Sequence, residues 1–158
     1  MTFTQRFQNF VCEGDSISCE VAGFEITARI VRDYCPDAPD ERQDGFWPSL
    51  YKDAPGFIGP GPNHRQRFAE AQAKAEAVMA AWRKDEWFYC GIVLSVALEG
   101  VTLDAHAASV WGIEANYPGS DNRYLSEVAQ ELLPEALDTG RAAARRLCTA
   151  LESSGARA

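Results

Sequence analysis

Ser16-Ile17-Ser18-Cys19-Glu20-Val21-Ala22-Gly23-Phe24-Glu25-Ile26-Thr27-Ala28-Arg29-Ile30-Val31 alternates apolar and polar residues on either side of one small-residue pair. Period two is the side-chain period of a strand, so the stretch reads as two strands and not as a helix. With Ala22-Gly23 as a two-residue turn, Val21 faces Phe24, Cys19 faces Ile26 and Ile17 faces Ala28, and one register gathers every apolar side chain on one side. The other side carries Ser18, Glu20, Glu25, Thr27 and Arg29, the composition of a solvated sheet face.

A second hairpin follows the same rule from Trp87 to about Glu114, with Glu99-Gly100 as its turn. Leu98 then faces Val101, Val96 faces Leu103, Leu94 faces Ala105, Ile92 faces Ala107, Cys90 faces Ser109 and Phe88 faces Trp111. The reverse face, with Gly91, Val93, Ser95, Ala97 and Ala108, is small and half apolar, which suits a cover by the long loop or by a second subunit.

Between the hairpins, His64 to about Asp85 places Phe68, Ala71, Ala75, Val78, Met79 and Trp82 at helical spacings, with Asn63 as N-cap. After the second hairpin, Ser120 or Asp121 caps a helix whose stripe runs through Leu125, Val128, Leu132, Leu133, Leu137, Leu147 and Leu151. Pro134 predicts a kink or restart within it, Gly140 weakens it again, and Arg141, Arg145 and Arg146 offset the macrodipole near its end. The order β-β-α-β-β-α gives an α+β fold: a four-stranded antiparallel sheet built of two β-hairpins, with two helices on one face. Residues 1–158 are expected to form a single domain with a long irregular loop over 33–63.

Composition narrows the function. The 158-residue chain is 46% hydrophobic with a formal net charge of −8, which disfavours nucleic acid held by charge neutralisation. Its 5 cysteines, Cys12, Cys19, Cys35, Cys90 and Cys148, form no CxxC pair and are odd in number, the pattern of reduced thiols in a cytoplasm. The start MTFTQRFQNF has no apolar core of a signal peptide, and no apolar run reaches the roughly 18 residues of a membrane span. Cytoplasmic localisation is expected, with no membrane association and no cofactor.

Six of the chain's 8 prolines (Pro36, Pro39, Pro48, Pro55, Pro60 and Pro62) lie between Asp33 and Asn63 in a stretch without periodicity. Structureless connections longer than about 15 residues are uncommon unless they carry function or are disordered. Tyr34, Phe46, Trp47, Tyr51 and Phe57 are too many rings for a solvated linker, so the loop is expected to pack, anchored by Trp47-Pro48. It is also acidic, with Asp33, Asp37, Asp40, Glu41, Asp44 and Asp53 against Arg42 and Lys52. The spacing of Asp37, Asp40, Glu41 and Asp44 is wrong for a calcium loop and proline interrupts it, so no metal is assigned there. Gly59-Pro60-Gly61-Pro62 lacks the Lys-Ser/Thr ending of a phosphate loop, and its prolines remove amide donors.

The candidate binding surface for a basic protein partner is therefore Asp37, Asp40, Glu41, Asp44, Phe46 and Trp47, joined by Trp111, Glu114, Asn116 and Tyr117. Two other readings compete. A metal-dependent hydrolase or nucleotide-processing enzyme would use Asp104, His106 and Glu114 with one or more loop aspartates around a divalent ion; the three alternate onto one strand face but have no nucleophile beside them in sequence. A structural homodimer would use the small-residue sheet face.

The segments Ile26-Thr-Ala-Arg-Ile30, Asp37-Ala-Pro-Asp-Glu-Arg-Gln-Asp-Gly-Phe-Trp-Pro-Ser-Leu50, Asp85-Glu-Trp-Phe-Tyr-Cys-Gly91, Trp111-Gly-Ile-Glu-Ala-Asn-Tyr-Pro-Gly-Ser-Asp-Asn122 and Glu131-Leu-Leu-Pro-Glu-Ala-Leu137 resemble those of short accessory proteins carried by prophages and integrative elements of proteobacteria. The resemblance covers most of the chain and implies a context, not a residue's role. Small acidic proteins of mobile elements often bind and block host machinery, as anti-restriction and anti-CRISPR inhibitors do, so an inhibitor of a host protein is what it implies here.

Overall fold

Ala22 and Gly23 take φ of 52° and 83°, and Glu99 and Gly100 take 51° and 75°. Two consecutive positive φ values define the type I′ turn, whose twist matches that of the strands it joins. In the computed structural model, which describes residues 1–35 and 37–155, these turns join β1 (Ser16–Val21) to β2 (Phe24–Arg32) and β3 (Phe88–Leu98) to β4 (Val101–Ala115). Three helices complete the order: α1 (Pro39–Arg42), α2 (His64–Arg83) and α3 (Arg123–Ser153). Pro36, one of the six loop prolines, lies outside the described residues.

The chain divides into two compact units, Met1–Asp33 with Tyr89–Ala158, and Tyr34–Phe88. The first holds the sheet, in the order β1-β2-β3-β4 and antiparallel, as expected for an α+β fold. The β1–β2 register sets Val21 opposite Phe24, Cys19 opposite Ile26 and Ile17 opposite Ala28, as the alternation requires, and β2 pairs with β3 through Ile26–Val96, Ala28–Leu94 and Ile30–Ile92. These side chains, apart from Cys19 and Val21, are buried and form the sheet's half of the core.

The other half comes from α3, which packs on β4 and β2 and buries Leu125, Ala129, Leu132, Leu133, Ala136, Leu137 and Ala143. Pro134 does not end it: the helix runs unbroken from Arg123 to Ser153, because the proline is exposed while the residues on either side of its turn are anchored in the core. Nor is Gly140 a weak point of the kind expected. A β-carbon there would lie 2.7 Å from Val96 Cγ2, so the missing side chain is what lets the helix approach the sheet. The arginines also need correction. No basic residue stands in the last turn, and Arg141 instead lies 3.6 Å from Asp138 on an earlier turn of the helix.

On the second face of the sheet Gly91, Val93 and Ala108 are buried, and Ser95 and Ala97 are half-buried. Trp111 does not follow the expected alternation: its ring occupies the space a Gly91 side chain would fill, 2.5 Å from where that β-carbon would stand, and so lies on the Gly91 side of β3. Strict alternation fails along β4, where Asp104 Oδ1 accepts from His106 N–H at 2.8 Å, Ala107 and Ala108 are consecutively buried, and Gly112 takes φ 76°. A slip of one residue in such a strand moves every later side chain to the opposite face.

In the second unit, α2 buries Ala75, Val78 and Met79, and Trp87 folds back so that its Nε1–H donates to Val78 O at 2.9 Å. Asn63 precedes the helix as expected but at φ 60° and without a side-chain cap bond. Arg67 secures the approach instead, donating to Gly59 O at 2.9 Å and Pro62 O at 3.3 Å.

Candidate functional site

The 34–63 segment contains one regular turn that its proline content concealed. Pro39 at the first helical position has no N–H to leave unsatisfied, and Glu41 Oε2 accepts from Ala38 N–H at 2.7 Å, so α1 starts without a polar N-cap side chain. Two glycines then bring distant parts of the segment together. A β-carbon on Gly45 would lie 2.7 Å from Gly56 N, and the two residues take positive φ, at 76° and 79°. That close approach aligns Ser49 with Phe57 in a parallel bridge: Ser49 N–H donates to Gly56 O at 3.0 Å and Ile58 N–H to Ser49 O at 2.8 Å.

Trp47 anchors this arrangement, its Nε1–H donating to Asp40 Oδ2 at 3.2 Å and its ring meeting Phe46 edge to face at 5.3 Å. Both rings are half-buried. Four residues of the expected surface are thus occupied internally: Asp40 and Trp47 with each other, Glu41 with Ala38, and Phe46 against Trp47. Asp37 and Asp44 are exposed, as is Asp53. Arg42, the nearest cation in sequence, has its guanidinium turned onto the backbone, donating to Asp37 O at 3.2 Å and Cys35 O at 3.5 Å.

What the segment displays in their place is a different apolar set. Tyr51 is 81% exposed, Tyr34 76%, Leu50 55% and Phe57 36%. Leu50 and Phe57, with Ile58, Pro60 and His64, line a shallow apolar depression of about 290 Å³. The sequence marks Tyr51 and Phe57 only as members of an aromatic loop; that Trp47 turns in while Tyr51 turns out follows from the Gly45–Gly56 contact, which pattern alone does not disclose.

The remaining four expected residues belong to the sheet unit. Asn116 and the fully buried Asn122 form a side-chain pair, with Asn122 Nδ2 donating to Asn116 Oδ1 at 2.7 Å and to Asn9 O at 2.9 Å. Asn116 in turn accepts from Val11 N–H at 2.9 Å and donates to Val11 O at 2.8 Å, as a strand partner would. Asn122, not Ser120 or Asp121, is the N-cap position of α3, with φ 60°; Ser120 Oγ and Asp121 Oδ1 serve the backbone around it. Further along α3, Ser126 Oγ accepts from Phe7 N–H at 3.0 Å, while Gln130 accepts from Phe3 N–H at 3.1 Å and donates to Met1 O at 2.8 Å. The N-terminal segment is therefore tied down by side chains, and Asn116 is structural.

Glu114 and Tyr117 are half-buried. Burial pushes the Glu114 carboxyl up, and burial followed by the Glu114 charge pushes the Tyr117 phenol up. Tyr124 is pushed to about 12, first by burial and then by Glu114 and Cys90. Its hydroxyl is buried with no hydrogen-bond partner among the described residues; Ser120 opposes the shift slightly but lies outside hydrogen-bonding geometry. Trp111, 48% exposed, is the one member of this group that presents a large surface.

Asp104 Oδ1 accepts from His106 N–H two residues on, and among the described residues no three His, Cys, Asp or Glu side chains are grouped to hold a metal ion. No described helix is long and apolar enough to cross a membrane. Comparisons of the chain with protein-family models, curated proteins and solved structures found no match, so the reading of the site rests on its geometry.

Proposed function

We propose that this chain is a non-enzymatic binding protein that captures a basic protein partner through the 34–63 segment, and that masking the partner's surface is its activity. The observation that carries this is the outward cluster of Tyr51, Leu50 and Phe57 on a segment pinned by the Gly45–Gly56 contact and the Trp47–Asp40 bond. A pinned apolar cluster loses little conformational entropy on binding, which is how a small patch gains affinity. Asp37, Asp44 and Asp53, exposed on the same segment, add charge that steers a cationic partner. Such a module would suit a mobile element that must neutralise a host protein.

Affinity purification from the native host, followed by binding kinetics on the purified pair, tests the proposal. Tyr51→Ser with Leu50→Ser is expected to weaken binding about 30-fold or more, mostly through faster dissociation, as loss of a central apolar anchor does. Asp44→Asn with Asp53→Asn is expected to slow association and flatten its salt dependence. Binding that survives both pairs of substitutions overturns the assignment.

A further inference from the structure

A locked loop brings Glu114, Tyr117 and Tyr124 together. Asn116 N–H donates to Asn122 Oδ1 at 2.9 Å and Asn122 Nδ2 to Asn116 Oδ1 at 2.7 Å, so the end of β4 and the start of α3 meet at this pair. Glu114 and Tyr124 stand two residues out from it on either side, and Tyr117 lies on the turn between them, closed by Ser120 N–H donating to Tyr117 O at 2.9 Å. What the loop assembles is polar and poorly satisfied. The Glu114 carboxylate is half-buried with no hydrogen bond or ion pair among the described residues, and the Tyr124 hydroxyl is buried without a partner there. The Glu114 charge reaches both phenols. One uncompensated polar group is tolerated in a fold; an unpaired acid within electrostatic reach of an unpartnered buried hydroxyl marks a place where a ligand belongs.

We infer that Glu114, Tyr117 and Tyr124 bind a primary ammonium group, the head of a lysine side chain or of a small free amine. An ammonium carries three N–H donors diverging from one centre, which suits acceptor oxygens on three separate side chains, and its charge offsets the carboxylate. A phenol oxygen that donates elsewhere keeps lone pairs to accept with, and the phenol faces add cation–π attraction. A guanidinium is planar and pairs with both oxygens of one carboxylate, which leaves the phenols unused. Calcium and magnesium call for about six oxygens, several of them charged, where one carboxylate and two neutral phenols are offered. The half-burial of all three side chains leaves a way in from solvent while strengthening the attraction beyond that of a fully solvated acid. The Asn116–Asn122 pair fixes the backbone beforehand, so little ordering is left to binding. The site belongs to the sheet unit and not to the 34–63 segment, and it stands independently of the surface proposed above.

Titration of the full chain with n-butylammonium chloride at constant ionic strength, followed by NMR of labelled tyrosine rings, tests this. Saturable shifts of the Tyr117 and Tyr124 signals are expected, with half-saturation at about 1–10 mM for a ligand of so few atoms. Glu114→Gln, which keeps the shape of the side chain, is expected to weaken binding at least about tenfold, and Tyr124→Phe, read at Tyr117, at least about threefold. Glu114→Gln is also expected to melt above the parent at pH 7, which separates lost binding from lost folding. Tetramethylammonium, which has no donors, and guanidinium are expected to bind at least about fivefold more weakly than n-butylammonium. Within the ammonium class, N-acetyl-lysine amide binding above spermidine identifies a protein side chain as the ligand, and the reverse order a free amine. No saturable shift up to about 50 mM, shifts retained by both variants, or an equal response to tetramethylammonium overturns the inference.

Discussion

Replacing Gly140 by alanine sets two effects against each other. In a helix interior alanine is favoured over glycine by about 1 kcal/mol, so propensity alone makes the variant more stable. Against this, the new β-carbon would stand 2.7 Å from Val96 Cγ2, 3.3 Å from Val96 Cγ1 and 3.5 Å from Phe24 Cδ1. Val96 cannot yield easily: it is fully buried, β-branched, and on a strand whose backbone is paired to Ile26. Overpacking of this kind costs about 1–3 kcal/mol, and with so short a contact the upper half of that range applies. The net expectation is a loss of about 1–2 kcal/mol, or a melting temperature lower by about 2–8 °C for a chain of this size. Denaturant unfolding should show an earlier midpoint and an unchanged slope. Val96→Ala alone is expected to cost about 2–3 kcal/mol through its cavity, and the double variant less than the sum by about 1–2 kcal/mol, because the methyl group added on the helix then fills the space that valine vacated. A Gly140→Ala chain more stable than the parent, or a strictly additive cycle, would refute the close-approach account.

Asn122→Ala is expected to lose about 2–4 kcal/mol, since it strands Asn9 O and Asn116 N–H and leaves Asn116 Oδ1 with Val11 N–H alone, while Asn122→Gly, which tolerates φ 60°, separates the backbone part of that cost; equal stability of parent and alanine variant in urea would sink the network. At pH 8 a disulfide reagent should modify the exposed Cys12, Cys35 and Cys148 rapidly and leave Cys90 untouched until the chain unfolds; prompt reaction of Cys90 contradicts its burial. Burial, and secondarily Asp33, push the Cys90 thiol from 9.0 up to about 12, so the unfolded chain ionises first and stability falls as pH rises from 9.0 towards about 12. Cys90→Ala should shallow that alkaline decline, and an unchanged slope would count against it. Glu114, whose carboxyl burial raises above 4.5, opposes folding once ionised, so Glu114→Gln should raise the melting temperature at pH 7 and lose this advantage below about pH 4; a lower melting temperature at pH 7 reverses the reasoning.

The hairpins are legible in the sequence because their registers depend on local chemistry: Ala22-Gly23 and Glu99-Gly100 can both take positive φ, and the alternation around each leaves one register that buries the apolar side chains. Trp111 escapes that logic because alternation propagates from the turn only while the strand stays regular, and Asp104 and Gly112 disturb β4 on either side of the tryptophan. The N-cap of α3 falls one or two residues beyond its expected place because Ser120, Asp121 and Asn122 all have capping side chains, and the choice falls to Asn116, Asn9 and the chain between them. In the 34–63 segment the acids and rings are recognisable as a group, yet which of them face outward depends on the meeting of Gly45 and Gly56, a contact between residues with no periodic relation.

Asp33 N–H donates to Tyr89 O at 2.9 Å, so the points where the chain leaves the sheet unit and returns to it are stitched side by side. A polypeptide inserted between two such neighbouring ends strains nothing when it lengthens or changes, since doubling a loop adds only about 0.6 kcal/mol of closure entropy. The intervening insert can therefore change in length or sequence while the strand ladder that precedes and follows it in the chain keeps its register.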